Sequence, residues 1–167
     1  MKLSIFLLLN TLLLACSTPP SPRNDISLND VESLRIGNTT KAEAEHLFGK
    51  ASQILSPSPN NQSWVYKNKD GAQTASLTFN ESGVLIGAIW VPSNPQKLLN
   101  LQEALAHFKS SKFKTEKVGW DDQGHYYSED VRYFDEKNGI SFLITSSDQC
   151  VMMVGFSASA GRLPAKQ

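Results

Sequence analysis

The order of the predicted elements repeats along the chain, and this repeat constrains the fold more than any other feature of the sequence. A capping box at Thr40 and Glu43 starts a short helix, which ends at Gly49. Short apolar and alternating segments then predict four strands, of which Ala75–Phe79 is the clearest. From residue 93 onward the order helix, strand, strand, strand, strand recurs, at an offset of about 60 to 67 residues.

We therefore predict an α+β protein with two tandem units, at residues 31–92 and 93–160, followed by a tail at residues 161–167. In each unit, helix would pack on one face of an antiparallel sheet, since Ala75–Phe79 is apolar on one face and polar on the other. The strands Val84–Val91 and Val151–Phe156 are apolar on both faces. Such strands either make contact between the two units or carry an exposed apolar patch for a partner.

The N-terminus has the features of a secretory signal peptide at residues 1–15. Lys2 is followed by a 12-residue apolar region that is too short to span a bilayer as a helix. The sequence Leu13-Leu14-Ala15-Cys16 resembles the lipobox of bacterial lipoproteins, which implies palmitate-type acylation and membrane attachment at Cys16. The alternative is an ordinary signal peptide with an incidental cysteine. Residues 16–30 are rich in Ser, Pro and Asn and predict a flexible tether.

The first unit resembles the BamE (SmpA/OmlA) type of outer-membrane lipoprotein. The motifs that carry the resemblance are Ile36-Gly37-Asn38-Thr39-Thr40, Leu47-Phe48-Gly49, Trp64-Val65-Tyr66, Leu77–Gly83 and Ile89-Trp90. The chain departs from that pattern at Lys50-Ala51, where the family has a proline, and in its second unit. A tandem of two such units is similar to the β-lactamase-inhibitor-protein architecture, in which a curved sheet binds a partner protein.

Charge and motif content exclude several classes of function. Sixteen basic residues balance sixteen acidic ones and form no basic stripe, so we expect no nucleic-acid partner. No catalytic or phosphate-binding motif is present, so we expect neither an enzyme nor a cofactor. With Cys16 acylated, Cys150 lacks an intrachain partner and is best interpreted as a buried structural thiol.

The segment from Trp120 to Asp130 is the most distinctive polar part of the sequence. His125 and four carboxylates could bind a cation there, but their spacing is not that of an EF-hand, and we favour a solvated loop without metal. His46 and His107 are isolated in the sequence and are best interpreted as surface residues. Aromatic side chains are enriched in binding hot spots. The candidate partner-binding residues are Trp120, Tyr126, Tyr127, Trp64 and Trp90.

Together these features predict a non-enzymatic, membrane-tethered lipoprotein that binds or scaffolds other proteins in the cell envelope. By resemblance to the sorting of enterobacterial lipoproteins, Ser17 after the lipobox cysteine favours the outer membrane with the protein facing the periplasm. The BamE resemblance implies a role in outer-membrane protein assembly. An inhibitor or binder of an envelope enzyme is the first alternative. A small envelope hydrolase or metal-binding protein that uses His125 is the second.

Overall fold

The computed structural model describes residues 26–92, 99–109, 111–118, 130–145 and 149–158. Eight strands lie in these ranges: β1 Gln53–Ser58, β2 Asn61–Lys67, β3 Gln73–Phe79, β4 Leu85–Trp90, β5 Lys114–Lys117, β6 Val131–Asp135, β7 Ile140–Ile144 and β8 Val151–Ser157. Three short helices accompany them: α1 Leu28–Glu32, α2 Lys41–Phe48 and α3 Leu101–His107. None of the helices in the described ranges is long and apolar enough to cross a membrane.

Each helix begins at a capping box. Ser27, Thr40 and Asn100 accept a hydrogen bond from the amide three residues later, and an acidic side chain at that position accepts one from the backbone N–H of the cap residue. The predicted start and end of α2 are confirmed, since Gly49 follows the helix with a φ of 76°. Helix α1 was not predicted. It begins in the last part of the predicted tether and ends in the predicted first unit, and Ile26, just before it, is buried in the core at 1% exposure.

All eight strands form one antiparallel sheet, in the order β1-β2-β3-β4-β8-β7-β6-β5. The prediction of two α+β units, each with helix packed on its own sheet, is therefore wrong: the protein is mostly a single eight-stranded sheet with few helical residues. The cause is the pairing of the last strand of each half, from Gly87 opposite Ser157 to Trp90 opposite Val154. This ladder satisfies the edges that two separate sheets would have left open.

The hydrophobic core lies on one face of the sheet. Leu77, Phe79 and Val154 are fully buried there, and they share one cluster with Phe48 of α2 and Ala104 of α3. Aromatic rings fill the part of the core below β6–β8, where Phe142 stacks on Tyr133 at 5.0 Å. We call this side of the sheet the covered face and the other side the open face.

A β-bulge near the start of β4 and another near the start of β8 change which side chains reach the core. Leu85 pairs with Phe79 after a register shift, so Leu85 and Ala88 are both buried, although they are three residues apart. The shift between Leu143 and Ile144 has the same effect on β8, where Val151 and Val154 are both buried. Simple alternation places Leu85 with Ile89 on one face, and the bulge is the reason that it does not lie there.

Candidate protein-binding surface

The open face is made of small polar and apolar side chains. Paired residues share a face, so register and alternation assign its members. Between β2 and β7 the central members are uncharged, and Lys67 at the end of β2 is the charged exception; the uncharged members include Ser63, Val65, Ser76, Thr78, Gly87, Ile89, Ser141, Leu143, Met153, Gly155 and Ser157. A hydrogen bond of 3.0 Å between the Ser63 and Thr78 hydroxyls satisfies two of the polar groups.

An apolar patch lies at the centre of the open face, where β4, β8 and β7 are neighbours. Ile89 and Met153 are 38% and 37% exposed, which is unusual for large apolar side chains on central strands. With Leu143 and Gly155 they line a shallow pocket of about 250 Å³. We call these four residues the open-face patch. The sequence left open whether β4 and β8 are central strands or carry an exposed apolar patch. In the structure both strands are central, and they also carry exposed apolar side chains.

Among the described residues, charged side chains border the patch on the β6 side. Arg132 on β6 lines the same pocket, and its guanidinium donates to Glu116 on β5 at 2.8 Å. The guanidinium also lies over the Phe134 ring, 5.4 Å from the centroid. Exposed ion pairs of this kind add little to stability.

Two of the three tryptophans predicted to bind a partner, Trp64 and Trp90, lie on the covered face. Trp90 is 8% exposed, and its indole N–H donates to the Ile26 carbonyl at 2.8 Å, which holds the segment before α1 against β4. Trp64 packs on Phe79 with ring centroids 5.1 Å apart. We therefore do not include Trp64 and Trp90 in the candidate surface.

The other predicted site residues have no described position. Trp120, Tyr126 and Tyr127 lie outside the described residues, as does the lipidation candidate Cys16. His125 lies outside them as well, so the cation alternative for its loop is a prediction that stands as it was made.

The remaining histidines and Cys150 lie apart from each other and from the open-face patch. His107 contacts the Glu32 carboxylate at 2.9 Å and so links α3 to α1. His46 is exposed beside Leu47 in a shallow depression of about 510 Å³ between the first two helices. Cys150 is half-buried rather than fully buried. Within the described ranges, no three His, Cys, Asp or Glu side chains are grouped so that they could hold a metal ion.

Three titratable groups have shifted pKa values, and each shift has a structural cause. Hydrogen bonds from the Thr40 amide and hydroxyl lower the pKa of Glu43. Burial, with a smaller contribution from the Glu45 carboxylate, raises the pKa of Tyr66. Burial alone would raise the pKa of Asp135, but hydrogen bonds from Lys112, Asn138 and Lys137 outweigh it and hold the pKa below its usual range. All three groups serve the fold, and none contacts the open-face patch.

Sequence reasoning did not identify the patch residues individually. It marked Val84–Val91 and Val151–Phe156 as apolar on both faces, which was the correct signal for Ile89 and Met153. Leu143 and Arg132 gave no such signal, because a single leucine or arginine in a strand is common. They join the patch only through the order of the strands in the sheet.

Comparison with known proteins gives a fold likeness and no family. No protein-family model matches the sequence, and no curated protein matches it. Two weak structural likenesses, each at 14% identity, are an extracellular protein containing an SCP domain from Bacillus anthracis (TM-score 0.45, 85% of this chain, 48% of that chain) and a cysteine-rich secretory protein from Staphylococcus aureus (TM-score 0.41, 73% and 42%). Scores this low carry no argument.

A stronger likeness is to YjgB, a DUF4309 family protein from Bacillus subtilis. Its TM-score is 0.53 at 14% identity, over 80% of this chain and 87% of YjgB. None of these three structures is described as a BamE-type protein or a β-lactamase inhibitor, so that resemblance stays a prediction from the sequence. At this identity the comparison shows the fold alone: the chain has a fold similar to that of a DUF4309 family protein.

Proposed function

We propose that the chain is a lipoprotein of the bacterial cell envelope that binds a partner protein through the open-face patch and catalyses no reaction. The observation that carries the proposal is the exposure of Ile89 and Met153 on two central strands. Exposed apolar surface costs free energy in water, about 25 cal/mol for each Å² left uncovered. A surface of this kind beside a polar border is typical of protein interfaces.

The chemistry of the patch suits protein recognition. Methionine is flexible and polarisable, and it adapts to the shape of a partner. Arg132 can contribute at the edge, because arginine is enriched among the residues that dominate binding energy. The uncharged hydroxyl surface from Ser63 to Thr78 extends the contact area without the desolvation cost of buried charges.

Attachment to a membrane limits where the partner can be. If Cys16 carries the lipid, the chain between Cys16 and Ile26 can extend at most about 35 Å, at roughly 3.5 Å per residue. The sheet would then act on proteins at or near the membrane surface. The resemblance to BamE-type lipoproteins supports the outer membrane as that surface and its assembly machinery as the partner.

Photo-crosslinking in the native host tests the proposed surface. A photoreactive phenylalanine analogue at Met153 should give a discrete crosslinked product with one envelope protein. The same analogue at Leu47, which is 43% exposed on α2, is the matched control and should give none. Equal crosslinking at both positions would contradict the proposal. Identification of the product as a barrel-assembly component or as an envelope enzyme would separate scaffolding from inhibition.

A further inference from the structure

Strand β1 lies at one end of the sheet, and β2 is its only neighbour among the described strands. Its outer side therefore offers backbone N–H and C=O groups that no described strand pairs with. The strand reads Gln53-Ile54-Leu55-Ser56-Pro57-Ser58 and has no charged residue. Ile54 and Leu55 are 56% and 45% exposed, the highest values among the large apolar side chains of the described residues.

The opposite edge of the sheet differs in length and in charge. Strand β5 is only four residues long, and three of the four are charged: Lys114, Glu116 and Lys117. Short, charged edge strands are how proteins prevent unwanted pairing. Strand β5 is thus protected by charge along its length, whereas in β1 only the second half, with Pro57 and a register shift, is protected, and Gln53, Ile54 and Leu55 are left uncharged and open. Copies of the chain also cannot easily join β1 to β5 and form a filament.

A second copy of the chain fits β1 poorly. A two-fold axis that pairs β1 with itself in the antiparallel direction is perpendicular to the sheet, so each residue stays on its own face. Ile54 faces the covered side with Trp64, and Leu55 faces the open side with Ser63. In the register that places Ile54 opposite Ile54 of the second copy, Leu55 is opposite Gln53 of that copy. In the register that places Leu55 opposite Leu55 of the second copy, Ile54 is opposite Ser56 of that copy. Either register covers one of the two apolar side chains and leaves the other against a polar one.

We propose that β1 is a second interaction site, which receives an extended, uncharged segment of another protein as a ninth strand. The occupant would have apolar side chains at two adjacent positions, one opposite Ile54 and one opposite Leu55. Main-chain hydrogen bonds would provide affinity, and the two apolar contacts would provide specificity. Pro57 has no N–H and lies in the irregular part of the strand, so the pairing would be confined to residues 52–55. This site is three strands away from Ile89 and does not depend on the open-face patch.

Amide hydrogen exchange tests the proposal with a synthetic probe. The probe is the uncharged peptide acetyl-Thr-Thr-Val-Val-Thr-Thr-amide, and the control peptide is the same sequence with alternate backbone nitrogens methylated. When the probe is in excess, it should slow exchange of those backbone amides of Gln53, Ile54 and Leu55 that point away from β2 by at least about fivefold. The methylated peptide, which cannot form the ladder, should have no effect.

Variants place the effect on β1. The double substitution Ile54→Lys and Leu55→Lys, which imitates the charged edge, should abolish the protection, whereas Thr115→Lys on β5 should leave it unchanged. Equal protection by the methylated peptide, or none by the probe, would overturn the proposal. Protection without any peptide that rises with protein concentration, together with a dimer in sedimentation, would overturn it in favour of a second copy. Both results are independent of crosslinking at Met153.

Discussion

The side chain of Ser141 on β7 occupies the space that a side chain at Gly155 on β8 would need. The two residues are directly opposite each other, and a Cβ atom at Gly155 would lie 2.9 Å from the Ser141 Oγ. Real Cβ contacts are almost never this short. Ile89 on β4 is also opposite Gly155. Because glycine has no side chain, the floor of the open-face patch between Ile89 and Leu143 stays below the surrounding side chains.

Gly155→Ala should destabilise the protein, because the serine side chain must rotate or move to admit the methyl group. The matched control is Gly87→Ala, where the nearest atom to the new Cβ is the Phe156 carbonyl at an ordinary 3.5 Å. We expect the free energy of unfolding of Gly155→Ala to be lower than that of Gly87→Ala by about 1 kcal/mol. Adding Ser141→Ala to Gly155→Ala should recover most of this difference in urea unfolding. Equal stability of the two single variants would contradict the account.

Trp90 and Trp64 offer a matched pair for the value of a buried hydrogen bond. Trp90→Phe leaves the Ile26 carbonyl without its 2.8 Å donor. Trp64→Phe instead removes a buried indole N–H that has no partner among the described residues. Both substitutions lose similar ring area, so we expect Trp90→Phe to cost about 1 to 2 kcal/mol more than Trp64→Phe. Urea unfolding of the two variants measures this difference in the free energy of unfolding. A larger cost at Trp64 would show that its N–H is satisfied in solution.

Asp135 should make the protein sensitive to acid. The folded-state pKa of this carboxyl lies below the usual 3.8, so the folded state binds the proton less well than the unfolded chain does. Its contribution to stability is therefore fully present above about pH 4 to 5 and is lost as the pH falls through the folded-state pKa. Asp135→Asn should lower the urea midpoint at pH 7 and reduce the loss of stability between pH 5 and pH 3. Asp70→Asn, at an exposed turn residue, is the control and should change neither.

Local rules predicted the parts of the fold that depend on neighbouring residues. The Thr40–Glu43 capping box and Gly49 correctly bounded α2, since a cap is decided within four residues. The alternation in Ala75–Phe79 correctly predicted a strand with one buried face. Helix α1 was missed because its five residues lie directly after a segment rich in Ser and Pro.

The rest of the fold depends on contacts that no local pattern encodes. The pairing of β4 with β8 joins residues about 65 positions apart and converts two expected sheets into one. The bulges at Leu85 and Val151 shift the alternation by one residue, and so decide which apolar side chains are buried. The open-face patch is a product of both effects. The sequence could therefore predict an exposed apolar patch on two strands as one of two alternatives, but it could not predict which residues form it.

Lipid attachment predicts a specific labelling result. If the thiol of Cys16 carries the lipid, as we propose, the wild-type protein should incorporate label and sediment with membranes in cells grown with radioactive palmitate. Cys16→Ser should lose both properties, whereas Cys150→Ser should keep them. Label that persists in Cys16→Ser would contradict acylation at Cys16.

The most direct test of the central claim is quantitative capture of the partner by patch variants. The double variant Ile89→Asp and Met153→Asp places two charges on the open-face patch, and Leu47→Asp places one on an equally exposed apolar residue of α2. From detergent-solubilised envelopes, wild type and Leu47→Asp should recover the same protein at similar yield. The double variant, if its urea midpoint shows that it is folded, should recover at least about tenfold less, as expected when charges are buried without partners. Undiminished recovery by the folded double variant would contradict the claim that the open-face patch binds the partner.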